Sequence, residues 1–179
     1  MEFNYTIVER DEMMLLGIKQ VMPEGNKAEL YKFFDGIVQD GRYHKLFSSQ
    51  KENVGEWNIY TSSLEVEGSG SYLFMVATEF NNSLELSKLD GMTLDFMHVL
   101  PAKWLIIRVS SHEKMDHVHK RTLVDRCIED VGYRLDFDNN KPIMEFQPIA
   151  CTQNPPYLDF WMPVQELKDL KKEREDYEI

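Results

Sequence analysis

Two carboxylates in the last third of the chain sit where an acid needs a reason. Glu145 interrupts the apolar run Pro142-Ile143-Met144-Glu145-Phe146, and Asp159 lies between aromatics in Tyr157-Leu158-Asp159-Phe160-Trp161-Met162-Pro163-Val164. Strand alternation puts Tyr157, Asp159 and Trp161 on one face and Leu158, Phe160 and Met162 on the other. A carboxylate among apolar groups is costly unless it is hydrogen-bonded, neutralised or paired with a cation. Such an acid can attract an organic cation, or serve as a general acid or base if burial raises its pKa. An outward-facing acid on a half-exposed sheet is the plain structural alternative, and the pattern leaves both open.

Other chemistries lack their parts. There is no Gly-x-Ser-x-Gly elbow, and Gly68-Ser69-Gly70 falls in a hairpin-like turn rather than between strand and helix. The same Gly-x-Gly lacks the further glycine and following helix of a phosphate cradle. Asp136-Phe137-Asp138-Asn139-Asn140 resembles the start of a calcium loop, but Lys141 stands where that loop needs glycine and Gln147 where it needs a bidentate acid. His117 and His119, two apart on a predicted helix, diverge, and with His112 they read as surface residues. Cys127 and Cys151 can form neither a disulfide framework nor a four-ligand zinc site and read as small core residues. No metal and no cofactor are expected.

The whole-chain arithmetic narrows the partners. At 179 residues, 42% hydrophobic and 28% charged, the chain has the composition of one domain. No apolar run approaches the roughly 20 residues of a bilayer crossing, and the N-terminus lacks the layout of a signal peptide, so a cytoplasmic protein without membrane contact is expected. Lys and Arg total 20 against 31 Asp and Glu, a net charge of −11. That balance, with no basic stripe, argues against nucleic acid, whose phosphates are bound by Lys and Arg.

The elements that must position the two acids follow from periodicity. Tyr5 to Glu9 and Met13 to Met22 are strand-like, with Gly17 marking a bulge or a close backbone approach. Asn26 caps a helix whose stripe is Leu30, Phe33, Phe34, Ile37 and Val38, with Gly41 as its stop. After a polar stretch through Gly55, Trp57 to Leu64 and Ser71 to Phe80 form a hairpin around Glu67-Gly68-Ser69-Gly70. Asn81 to Gly91 reads as a linker and Met92 to Leu100 as a strand. Then come a strand at Lys103 to Ser110, a helix at Lys114 to Val131 stopped by Gly132, and strands at Ile143 to Ile149 and Tyr157 to Val164.

Strand, helix, strand, strand therefore occurs twice, offset by roughly 85 to 90 residues. The expected fold is α+β: two such halves, about 1–80 and 92–164, related by a pseudo-twofold, with antiparallel sheets and a small-molecule cleft at the junction. The charged stretch 165–179 reads as a tail, a solvated helix or a frayed end.

At these residues the chain resembles the GyrI-like superfamily, the effector-binding domains of bacterial AraC-type and MerR-type regulators, which also occur free-standing. The likeness is carried by Tyr5-Thr6-Ile7-Val8-Glu9-Arg10 with Leu15-Leu16-Gly17-Ile18, by Tyr72-Leu73-Phe74-Met75-Val76-Ala77, by Leu100-Pro101-Ala102-Lys103-Trp104-Leu105-Ile106, and by the closing pair Ile143-Met144-Glu145-Phe146 and Asp159-Phe160-Trp161-Met162-Pro163-Val164. It spans about Tyr5 to Val164 and implies one effector-binding domain over 1–164. It also implies an aromatic cleft that receives cationic, lipophilic compounds on acids of the closing strands, here Glu145 and Asp159, with Trp161, Trp104 and Tyr72 as its walls; Tyr157, on the strand face of Asp159, joins the expected ligand-binding residues by alternation. The sequence departs from the family pattern in having Asp159 for the usual glutamate and Lys103 directly after Ala102. Since strand-like residues begin by Tyr5, no helix-turn-helix is expected ahead of the domain.

Three functions are weighed. The first is a free-standing binder of small lipophilic molecules, cations included. The second is a small hydrolase acting on electrophilic compounds through Glu145 and Tyr72, and the third is a protein-interaction module of the gyrase-inhibitor kind.

Overall fold

In a computed structural model, residues 5–50, 58–66, 69–110, 128, 131–136, 141–148 and 157–167 are described, with the backbone alone at 58–66, 109–110, 147–148 and 157–158. The elements are β1 (Tyr5–Arg10), β2 (Met13–Pro23), α1 (Lys27–Gln39), α2 (Arg42–Ser48), β3 (Asn58–Val66), β4 (Ser71–Glu79), β5 (Asp95–Val99), β6 (Ala102–Ser110), β7 (Tyr133–Leu135), β8 (Ile143–Pro148) and β9 (Tyr157–Glu166), with a 3-10 turn at Leu86–Leu89. The class is α+β with antiparallel strands throughout.

Several elements form where the side-chain pattern predicts. The Asn26 side chain accepts the Glu29 backbone N–H and opens α1, and Gly41 at φ +81° ends the turn beyond it. Gly17 faces Ala77 across the β2–β4 ladder, where an added Cβ would stand 2.1 Å from the Val76 carbonyl oxygen and 2.6 Å from Ala77 Cα. The close approach anticipated at this glycine is therefore real.

Other expectations are corrected. The stretch after Gly41 is not simply polar: α2 forms there, with Leu46 buried and Tyr43 edge-on to Phe34 of α1 at 5.7 Å. The short strand β7 holds the end of β9, which runs on to Glu166 rather than fraying from Gln165. The predicted helix at Lys114 to Val131 lies mostly outside the described residues, as do Cys127, Cys151 and the three histidines at 112, 117 and 119. Ile128 is helical and buried.

The hydrogen-bonded strand order is β1-β6-β9-β8-β3-β4-β2-β5, with β7 added to β9. Exchanging β1 with β5, β2 with β6, β3 with β8 and β4 with β9 reverses the order onto itself. β8 and β3 meet at its centre, and each leading strand, β1 or β5, pairs with the opposite half.

This connectivity forces the sheet to curl. β1 and β2 stand six strand spacings apart along the order, about 29 Å if flat, yet two residues join them, which reach only about 11 Å. The same holds for β5 and β6, joined by Leu100-Pro101. The two ends must therefore swing together into facing layers, and the Arg10–Glu79 ion pair at 3.8 Å links β1 to β4 across them.

Three cores result. The inner face buries Met13, Leu15, Met75, Met97, Val99, Trp104, Met144 and Phe146. On the outer face, α1 and α2 cover Leu16, Ile18 and Val76, while Ile128 and Val131 cover Leu105, Ile107, Phe160 and Met162.

Candidate functional site

Alternation along β9 sends Phe160, Met162 and Val164 outward to the helix-side core and Trp161 inward. There Trp161 meets Trp104 of β6, whose ring centroid is 6.0 Å away at a 57° tilt, and Phe146 of β8 at 6.1 Å and 31°. Trp104 is wholly buried. The Arg10 guanidinium lies 5.4 Å from the Trp161 ring centroid, the geometry of a cation–π contact. Neither indole nitrogen, Trp104 Nε1 nor Trp161 Nε1, finds an acceptor among the described residues, although both atoms are buried.

Asp159 shares this face. Its carboxylate accepts two bonds from Arg108 of β6, Nε–H to Oδ1 at 2.7 Å and Nη2–H to Oδ2 at 2.8 Å. The Asp159 side chain is 6% exposed and that of Arg108 49%. The β6–β9 register sets Arg108 against Asp159 and the β8–β9 register sets Asp159 against Phe146, so cation, acid and ring form one row across three strands. Sequence reasoning missed Arg108. The available signal was its position on the predicted strand Lys103 to Ser110, an even number of residues from Trp104.

The two acids do not share a floor. Glu145 pairs with Phe160 in the β8–β9 ladder and with Thr61 in the β3–β8 ladder. It therefore stands on the outer face, one residue out of phase with Phe146 and Asp159. Tyr72 stands on the outer face too, in phase with Phe74 and Val76 of the α1–α2 core. Burial raises its pKa above the ordinary tyrosine value. Thr61, opposite Glu145, is also opposite Val76, four residues along β4 from Tyr72. That offset is about 13 Å, so the acid–tyrosine pair considered for hydrolysis is not assembled by the register. Tyr157 is the β9 residue opposite Ser110.

The calcium-loop look-alike has another explanation. Asp136 is buried and held by the Lys141 ammonium at 2.6 Å, the residue that displaces the required glycine. Among the described residues no group of three or more His, Cys, Asp or Glu could hold a metal, and no helix is long and apolar enough to cross a membrane.

Solved structures share this architecture. A Staphylococcus aureus MU50 protein assigned to bacterial transcription regulation is similar at TM-score 0.66 and 17% identity, over 92% of this chain and 99% of its own. SAV2435, solved bound to tetraphenylphosphonium, is similar at TM-score 0.69 and 18% identity, over 93% and 96%. The EcmrR C-terminal domain is similar at TM-score 0.57 and 13% identity, over 93% and 99%. No protein-family model and no curated protein matches the sequence. The chain has the GyrI-like fold, as the ordered motifs implied.

Proposed function

We propose that this protein binds small lipophilic molecules on the inner face of the curled sheet, against Trp104, Phe146 and Trp161, and that binding rather than chemical conversion is its function. The observation that carries the reading is the pair of buried indole N–H groups without acceptors among the described residues. A core whose only role is packing gains nothing from donors it cannot satisfy, because each costs about 1–3 kcal/mol. A phenylalanine would fill similar space without that cost.

Three further points support it. Arg108 and Arg10 have side chains 49% and 35% exposed, so the aromatic face has a solvent-reached margin. The palindromic strand order fits a pseudo-twofold relation between two halves, with the inner face as their shared interior. SAV2435, of the same fold, is bound to tetraphenylphosphonium, which makes lipophilic aryl compounds the first class to test. DNA is not read directly in this proposal, since a net charge of −11 repels it.

The test is a titration of aryl compounds followed by tryptophan fluorescence and by the rise in melting temperature that a native-state ligand causes. Trp161→Ala should weaken binding about tenfold or more, while Glu145→Gln and Tyr72→Phe on the outer face leave it unchanged. Loss of binding in Glu145→Gln but not in Trp161→Ala would move the site to the other face and end this proposal.

A further inference from the structure

On the inner face, the described cations are each matched to an acid. Arg108 is committed to Asp159 through two bonds, and Arg10 to Glu79 across the layers. The second expected acid, Glu145, stands on the outer face. The position over the Trp161 ring that a ligand cation would take is filled by the Arg10 guanidinium. A bound cation would thus meet two guanidinium groups and no uncommitted carboxylate among these residues. An anion fares no better, because pairing with either arginine means separating it from its acid, and the chain as a whole is strongly negative. What this face does offer is hydrogen-bond donors: Trp104 Nε1–H and Trp161 Nε1–H, in rings that also supply the apolar walls.

Resting on the binding reading above, we infer that the ligand is an uncharged aromatic molecule with an acceptor oxygen, of the ketone, quinone or phosphine oxide type, received by an indole N–H of Trp104 or Trp161. The rings stack on its aryl body, and the acceptor satisfies a donor that is otherwise buried without one. Discrimination follows from the polar contact, since a buried donor left unpaired penalises every ligand lacking the acceptor.

Two phenyl-bearing phosphorus compounds separate the possibilities: triphenylphosphine oxide, neutral with three phenyl groups and an exposed acceptor, and tetraphenylphosphonium, cationic with four phenyl groups and no acceptor. Both are titrated into ¹⁵N-labelled protein while the indole N–H resonances are followed, assigned through Trp104→Phe and Trp161→Phe. The expected result is about tenfold tighter binding of the oxide, the equivalent of one recovered hydrogen bond to a buried donor, with a downfield shift of one indole proton. Replacing that donor by phenylalanine should erase the preference. Arg108→Met, which releases the Asp159 charge, should turn it towards the phosphonium. Phosphonium binding as tight as the oxide in the unaltered protein, still dependent on Trp161, would overturn this inference and leave the binding reading standing. Oxide binding that moves neither indole resonance would overturn it too, and would mean that a resident water already serves the donors. Binding of neither probe would count against the aromatic-face reading itself, and with it the inference.

Discussion

Arg108 and Asp159 face each other across the β6–β9 ladder and close two parallel charge-assisted bonds of 2.7 and 2.8 Å, one partner buried and the other half in solvent. This asymmetry sets the consequence of breaking the pair. Removing Arg108 strands a buried carboxylate, whereas removing Asp159 leaves a guanidinium that is already half in solvent. Arg108→Met should therefore cost about 3 kcal/mol, and Asp159→Asn about 1 kcal/mol. Urea unfolding of both variants checks this, and equal losses would show that the two ends of the pair are equally wet.

Gly17 offers a second test, this time of the sheet itself. Any side chain there enters the β4 backbone, with Val76 O and Ala77 Cα both closer than a real Cβ contact permits. Because backbone rather than a flexible side chain is in the way, β2 and β4 must separate to admit it. Gly17→Ala should lower stability by about 2–3 kcal/mol, read as a fall in the denaturant midpoint. Ala77→Gly in the same chain should recover only part of the loss, since the Val76 carbonyl remains.

What was legible in the sequence was local. Asn26, the apolar stripe of α1 and Gly41 are near neighbours whose spacing is fixed by helix geometry, and the inward turn of Trp161 against Phe160 needs only alternation. α2 escaped because Arg42-Tyr43-His44-Lys45-Leu46-Phe47-Ser48 is two turns long, too short to establish a period, and β7 has three residues. The site itself depended on register. That Glu145 aligns with Phe160 rather than Asp159 is a one-residue matter of register between neighbouring strands, and that one residue puts the acids on opposite faces. Arg108 was hidden for the same reason: nothing along the chain says which residue of β6 lies across from Asp159, about 50 positions away.

The α1 cap gives a smaller prediction. Asn26 Oδ1 accepts the Glu29 N–H at 3.2 Å while its amide donates to Glu29 Oε2 at 3.0 Å, so both residues serve the same helix start. Asn26→Ala should cost about 1 kcal/mol, and Asn26→Asp close to nothing, because aspartate accepts the same N–H and suits the positive end of the helix. Thermal unfolding distinguishes the two.

Alkaline pH tests three half-buried tyrosines together. Burial raises Tyr43 and Tyr72 above the ordinary value of 10.0, and it raises Tyr133 as well, with the Glu166 charge adding to the effect. The hydrogen bond to Glu166 raises Lys103 above 10.5. In every case the folded protein holds its proton to higher pH than the unfolded chain does. Their contribution is thus fully present below pH 10 and is lost as pH rises from there through the raised folded values. Stability should be flat between pH 8 and about 9.5 on this account, then fall steadily towards pH 11. Tyr43, packed edge-on to Phe34, is the most enclosed of the three phenols. Tyr43→Phe should therefore flatten the fall more than Tyr133→Phe, whose ring lies beside the Lys103 ammonium and near solvent. Melting temperatures across this range, with phenolate absorbance followed in parallel, check it. A decline that survives Tyr43→Phe unchanged would assign the alkaline limit to other groups.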